Sequence, residues 1–221
     1  MINIATCPLC HAAAGHFVAD TRRDYYQCSQ CELVFADPTG HLEADAERAV
    51  YDLHENLPDD AGYRNFLEQL TVPLLARLTP GMQGLDFGCG PGPTLHLMLE
   101  ERGMNMQLYD IFYQPNKQQL QRQYDFVTST EVVEHFYQPA ATWRQLVDLV
   151  KPGGTLAIMT SLFTRQTPAA FLAWQYKNDP THVSFYTPWT MKWLAQEYAL
   201  NCDILSQRVI FFQRLPVHSH S

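Results

Sequence analysis

The segment Leu85-Asp86-Phe87-Gly88-Cys89-Gly90-Pro91-Gly92 limits what this chain can become more than any other part of it. An apolar run that closes on an acidic residue and then breaks into alternating glycines reads as a buried parallel strand, a tight turn and the start of a helix. Gly88 and Gly90 can take positive φ and let backbone approach a ligand with no Cβ in the way, and Gly92 lets the following helix sit close to the sheet. The segment predicts a cradle for a nucleotide-like ligand.

From Gln83 onward, strands and helices alternate, which predicts an α/β fold with a parallel sheet covered on both faces. Strands are expected at residues 84–88, 105–110, 124–129 and 155–160, and the first helix at 93–102 with Pro93 in its opening turn. Trp143, Leu146, Val147 and Val150 form a helical stripe that Lys151-Pro152-Gly153-Gly154 ends. A last helix starts at Thr187-Pro188 and buries Met191, Leu194, Ala195 and Tyr198. Asp110 closes the second strand about twenty residues beyond the glycines, where a carboxylate can accept hydrogen bonds from ribose hydroxyls. A surface turn is the alternative for that residue.

With 221 residues, 46% of them hydrophobic, the chain can hold one large domain and a small appendage. The formal net charge of −8 and the lack of a Lys/Arg run count against a broad phosphate-binding surface, and so against nucleic acid as a partner. Met1-Ile2-Asn3-Ile4-Ala5-Thr6 does not read as a secretion signal, and no apolar stretch is long enough to span a bilayer. The expectation is a cytoplasmic protein without a membrane partner.

Cys7-Pro8-Leu9-Cys10 and Cys28-Ser29-Gln30-Cys31 are two Cys-x-x-Cys pairs separated by seventeen residues, the spacing of a zinc ribbon. Four thiolates fill a tetrahedral zinc completely, so the site would be structural. Redox pairs or disulfides are the alternatives. Cys89 and Cys202 read as small packing residues and His11 and His16 as surface histidines. Short strands are expected at 17–20, 25–27 and 33–35, in a segment too small to fold without metal. Pro38-Thr39-Gly40 then marks a linker, followed by a helix through Leu42, Ala46, Ala49, Val50 and Leu53, and another from Tyr63 towards Leu78 that Pro73 interrupts. The expected organisation is a ribbon over 1–37, a helical linker or cap over 38–80 and the main domain over 81–215.

Asp-x-Gly-x-Gly-x-Gly resembles motif I of the class I S-adenosylmethionine (SAM) methyltransferases. The whole N-terminal pattern is similar to the zinc-binding head of a group of bacterial methyltransferases that includes sugar C-methyltransferases, except that Glu32 stands where the second knuckle usually has glycine. The resemblance extends over nearly the whole chain, to Lys-Pro-Gly-Gly and a closing antiparallel hairpin at 201–206 and 208–213. It implies a Rossmann-like sheet. Because only residues 114–123 separate Asp110 from the next strand, one outer strand should be missing or vestigial, and the adenine contact should come from backbone or from the helix of that short segment. The resemblance implies SAM as cofactor, held by Asp86, Gly88, Cys89, Gly90, Gly92 and Asp110 and bordered by Thr130 and Glu131. It also gives Tyr63 and Arg64 a covering role, against which surface packing stands as the plainer reading.

Residues 125–136 deliver Glu131-Val132-Val133-Glu134-His135 at a strand's carboxyl end, where open α/β sheets bind ligands. The segment resembles the one after the fourth strand in enzymes of the ubiquinone-pathway O-methyltransferase type, in which the His of Glu-His faces the acceptor. Asp179-Pro180-Thr181-His182-Val183 should line the same crevice, and similar segments occur in the resembling enzymes. The candidate catalytic residues are His182 first, then His135, with Asp179 or Glu131 orienting or charging the imidazole. A helix-start cluster packed for stability and a bystander loop histidine are the structural alternatives. The expected activity is methyl transfer to oxygen or carbon of a small-molecule acceptor, with zinc structural. An RNA methyltransferase is the first alternative, and a non-catalytic SAM-binding or interaction module, docking a protein partner through the ribbon, is the second.

Overall fold

The computed structural model describes residues 4–53 and 57–216; Met1-Ile2-Asn3 and the His218-Ser219-His220-Ser221 tail lie outside them. Alternating apolar runs fold into the strands β5 (Gln83–Phe87), β6 (Asn105–Tyr109), β7 (Tyr124–Thr130) and β8 (Val150–Met159), which are mutually parallel, and an antiparallel pair, β10 (Leu200–Ile204) and β11 (Val209–Arg214), extends them. The order across this sheet is β10-β11-β8-β7-β5-β6, so β6 is an edge, with no strand beyond it among the described residues. Residues 117–121 form only a 3₁₀ turn there.

Two layers of helices bury the sheet. On one face, Leu67, Leu70 and Leu74 of α2 (Ala61–Leu75) pack with Leu95, Met98 and Leu99 of α3 (Leu95–Glu100). On the other, Trp143 and Leu146 of α4 (Pro139–Asp148) join Met191 and Leu194 of α6 (Pro188–Glu197). Thr187 caps α6 in a reciprocal capping box with Thr190. α3 is shorter than residues 93–102, because Pro93 stays in the loop and Thr94 makes no side-chain cap. Lys151 to Gly154 fall within the span of β8 as a bulge: Tyr124 pairs with Val150 and Phe126 next with Thr155, with Gly153 at φ +81° absorbing the detour. No helix among the described residues is long and apolar enough to cross a membrane.

The N-terminal segment forms β1 (Ile4–Thr6), β2 (Ala13–Ala19), β3 (Asp24–Cys28) and β4 (Val34–Ala36), an antiparallel meander. It does not end at its own last strand. β4 pairs with β9 (Ser184–Phe185), Val34 opposite Phe185 and Phe35 opposite Ser184, so the small sheet takes a strand from the far side of the chain. The alternating side chains of β3 and β4 are buried on both faces. Tyr26, Leu33 and Phe35 join the core around Trp143, while Tyr25, Val34 and Ala36 pack with Phe163 and Phe171, the latter on α5 (Pro168–Ala173). The ribbon therefore shares its cores with the main domain. Between them, α1 (Ala44–Tyr51) begins after Leu42, and Leu53 beyond its end is exposed.

Candidate functional site

The carboxyl ends of β5, β6 and β7 open into a cavity of about 1000 Å³, roofed by residues 38–51 and by Tyr63 and Phe66 of α2. Tyr63 lines it, whereas Arg64 turns away to pair with Glu101 at 2.6 Å.

Its first half is the glycine turn. Gly88 sits at φ +78°, and a Cβ there would meet Val132 at 2.5 Å, so both the conformation and the packing demand glycine. Gly90, at φ +67°, has open space before it, which lets a ligand approach the backbone. Asp110 ties this turn to the next loop: its Oδ2 accepts from Gly90 N at 3.0 Å, and its Oδ1 accepts from Phe112 N at 2.8 Å and Tyr113 N at 3.1 Å. Asp86 accepts from Thr128 Oγ1 at 2.9 Å and is fully enclosed; burial, with the Asp110 charge added, pushes its carboxyl up to about 7. Cys89 also lines the cavity, its thiol pushed up by burial. Thr130 Oγ1 is buried at the end of β7 with no hydrogen-bond partner among the described residues. An open glycine cradle, an orphaned hydroxyl and carboxylates suited to a sulfonium and an ammonium fit SAM.

The second half gathers charged groups from three distant segments. Glu131 leaves β7 at φ +53° and pairs with Arg208 Nη1 at 3.3 Å. Tyr176 donates to Glu134 and also contacts Glu131 Oε2 at 3.1 Å, while Thr160 Oγ1 donates to the other oxygen of Glu134 at 2.9 Å. Burial, and for Glu131 the neighbouring Glu134, push the two carboxyls up, Glu131 to about 8 and Glu134 to about 7. His182 Nδ1 lies 2.7 Å from the Tyr176 carbonyl and so carries the proton, which leaves Nε2 as an acceptor 4.0 Å from Glu134 and 3.9 Å from Asp179. Burial, then the neighbouring His135, push His182 down to about 4. Asp179 resists its own desolvation because Thr181 N and Oγ1 both donate to Oδ1, and its pKa is lowered. The His135 and His182 rings are 4.8 Å apart between centroids, and His135 Nδ1 meets the Thr181 carbonyl at 3.1 Å.

His182, His135, Asp179 and Glu131 thus share one cavity with the glycine turn. Tyr176 and Arg208 join this site without a local sequence signal, whereas Glu134 stands within the Glu-x-x-Glu-His segment. Ligand atoms of Glu134, His135 and His182 lie within 4.8 Å of one another, a grouping that could hold a cation as well as move a proton.

The four ribbon cysteines converge apart from the cavity, all their sulfurs within 4.8 Å of one another. Cys7 and Cys31 are 3.6 Å apart and Cys10 and Cys28 3.3 Å, near the ~3.8 Å edge of a tetrahedron whose zinc–sulfur bonds are about 2.3 Å. The knuckles match each other: His11 N donates to Cys7 O and Glu32 N to Cys28 O, and the backbone amides of Cys7 and Cys28 donate to the carbonyls of Ala12 and Leu33. His11 and Glu32 both take positive φ, +62° and +58°. Glu32 therefore accepts the conformation that glycine would give, and its carboxylate is anchored by Gln166 Nε2 at 2.8 Å. The donor set and spacing fit zinc. His11 and His16 are exposed, His16 paired with Asp24.

A family model for a methyltransferase domain matches residues 60–205. A ubiquinone biosynthesis O-methyltransferase from Aeromonas salmonicida is 33% identical over 98 residues, which is 44% of this chain and 40% of that protein. The fold resembles an N1-methyltransferase for 1,6-didemethyltoxoflavin from Burkholderia thailandensis, solved with that compound and S-adenosylhomocysteine, at TM-score 0.50 and 15% identity over 89% of this chain and 97% of that one. An O-methyltransferase family protein, also from Burkholderia thailandensis, matches at TM-score 0.50 and 16% identity over 80% and 61% of the two chains. At these identities the structural likeness shows the fold, a class I methyltransferase sheet.

Proposed function

Because the chain belongs to the methyltransferase domain family, we propose that it transfers the methyl group of SAM to oxygen or carbon of a small acceptor that is neutral or cationic. SAM supplies the electrophilic methyl. Asp86, Gly88, Gly90, Asp110 and Thr130 hold it, and the surrounding walls bring the acceptor into line and exclude water. The observation that carries this reading is one cavity in which the glycine turn faces Glu131, His135, Asp179 and His182. The charge of the acceptor follows from its walls. Glu43, Glu47, Asp86, Asp110, Glu131 and Asp179 line the cavity, and no Lys or Arg does among the described residues. The walls offer no lysine or arginine to hold a phosphate or carboxylate on the acceptor, and Arg208 behind them is engaged by Glu131. This counts against RNA and nucleotide-linked sugars.

When the acceptor arrives protonated, His182 is the group placed to take its proton, since Nδ1 is anchored and Nε2 points free of its own hydrogen. Glu134, 4.0 Å away, is the onward proton acceptor. Cys7, Cys10, Cys28 and Cys31 hold a structural zinc, which the matched knuckles support. β3 and β4 of the ribbon are buried against the main domain, while β2 is mostly exposed. Incubation with isotope-labelled SAM and fractionated cell extract, read by mass spectrometry, tests the proposal. Label should enter neutral or cationic metabolites; label confined to RNA, protein or phosphorylated compounds would replace it.

A further inference from the structure

We propose that Arg23, carried by the turn between β2 and β3 of the ribbon, is a positioning residue for the acceptor half of the cavity, acting through the backbone of residues 177–182. This deepens the functional reading above and rests on it for the role of that loop. The side chain crosses from the ribbon into the main domain and is buried there. Its Nη1 donates to the carbonyls of His182 at 2.8 Å and Pro180 at 3.2 Å, and its Nη2 to those of Lys177 at 2.6 Å and Asp179 at 3.2 Å. Nε donates to Tyr25 Oη at 3.1 Å. All five guanidinium donors are used, four of them on carbonyls of one loop.

That loop supplies few backbone partners to its own carbonyls; His182 N reaches the Asp179 carbonyl at 3.3 Å. It lies between a 3₁₀ turn at 175–178 and the two-residue strand β9, so its carbonyls have no ladder to join. Buried carbonyls need a partner, and the planar fork of an arginine can gather several that diverge. The junction is reinforced beside it. Asp20 closes the turn by accepting from Arg22 N and Arg23 N at 2.8 and 2.9 Å, and its other oxygen pairs with the buried Lys177 Nζ at 2.8 Å. Arg22 reaches the Asn178 carbonyl at 3.1 Å.

The consequence falls on His182. Its ring is aimed by two features of the same loop: its own carbonyl, held by Arg23, and the Tyr176 carbonyl that receives Nδ1–H. Asp179, whose Oδ2 sits near His182 Nε2, has its carbonyl on the same guanidinium. His135 contacts the carbonyl of Thr181, inside the same span. The ribbon thus sets the orientation of three acceptor-side groups without touching the cavity itself.

Arg23→Gln and Arg23→Lys test this against wild type. Amide hydrogen exchange should quicken at least about tenfold across residues 177–183 and stay unchanged across 124–130, since local opening would be confined to the loop. The His182 imidazole NMR signal should shift or broaden. Affinity for S-adenosylhomocysteine and zinc content should stay within about twofold, while label transfer from SAM into extract metabolites should fall at least about tenfold, because only acceptor-side geometry is lost. Arg23→Lys keeps the charge and should fold if Arg23→Gln does not, with the same loop-selective change at smaller amplitude, as an ammonium cannot span four carbonyls. An unchanged loop and His182 signal, or loosening spread over the whole molecule with loss of S-adenosylhomocysteine binding, would overturn the proposal. His182→Ala separates the two readings. Wild-type label transfer in that variant would remove the acceptor role of the loop, and the exchange and NMR results would still decide whether Arg23 holds it.

Discussion

On the function proposed above, the donor half of the cavity is made mostly from stretches that are continuous in sequence, residues 86–90 and 110–113 with Thr130, whereas the acceptor half draws on residues 20–25, 131–135, 176–182 and 208. In the first, backbone conformation does most of the work: two glycines at positive φ and one carboxylate that fastens two loops together. In the second, side chains from separate elements hold each other in place, and the ribbon holds the loop that carries His182. The difference teaches that one half should tolerate damage far away and the other should not.

The largest expected effect is on the metal. Cys31→Ala should reduce zinc from about one per chain to near none and destabilise the protein by more than about 3 kcal/mol, because the ribbon's core is continuous with that of the domain. Metal analysis and denaturant unfolding check this, and X-ray absorption should find sulfur ligands alone. Methyl transfer should be lost well before S-adenosylhomocysteine binding as zinc is withdrawn; simultaneous loss would erase the contrast between the halves.

Next in size is His182→Ala, expected to lower turnover by roughly 10²–10⁴-fold with SAM affinity nearly intact. A packed bystander would instead lose thermal stability and keep its turnover per folded molecule. Asp110→Ala should weaken SAM by about 1–3 kcal/mol, since it removes charge-assisted bonds both to the ligand and to Gly90 N. Calorimetry giving unchanged affinity would take the ribose contact away from Asp110.

The smallest effect is the pH dependence. Asp86, Glu131 and Glu134 have folded pKa values raised above those of an unfolded chain, so the stability they contribute is full below about pH 4 and declines as pH rises through 7 to 8. His182 is depressed, so its contribution is present above about 6.5 and lost as pH falls through about 4. A bound cation favours ionised carboxylates. SAM affinity should therefore rise between pH 6 and 8 with proton release, measurable by titration in buffers of different ionisation enthalpy. Proton uptake would mean that these carboxyls do not face the ligand.

What could be read from the sequence follows the same division. The β5 turn, Asp110 and the paired knuckles are legible because each depends on neighbours in the chain: a glycine at a forced φ, a spacing, a strand end. The missing outer strand was legible too, from the shortness of residues 114–123. Arg23 and Tyr176 were not, because their roles depend on partners more than forty residues away, and neither residue type carries a sign of it. The pairing of β4 with β9 escaped for a further reason. Ser184 and Phe185 form a strand of two residues, too short for any alternation to register.

That short pairing also has a consequence in time. Phe35 and Ser184 are separated by roughly 150 residues, and a ribosome adding about 5–20 residues per second needs roughly 7–30 s to bring the second after the first. For that interval the nascent meander can close its knuckles on metal, yet β4 remains an open edge and Arg23 lacks the carbonyls that will surround it. An open edge is a template for pairing with other chains. The ribbon is therefore made well before the strand and the loop that complete it, and its edge stays open until residues 177–185 arrive.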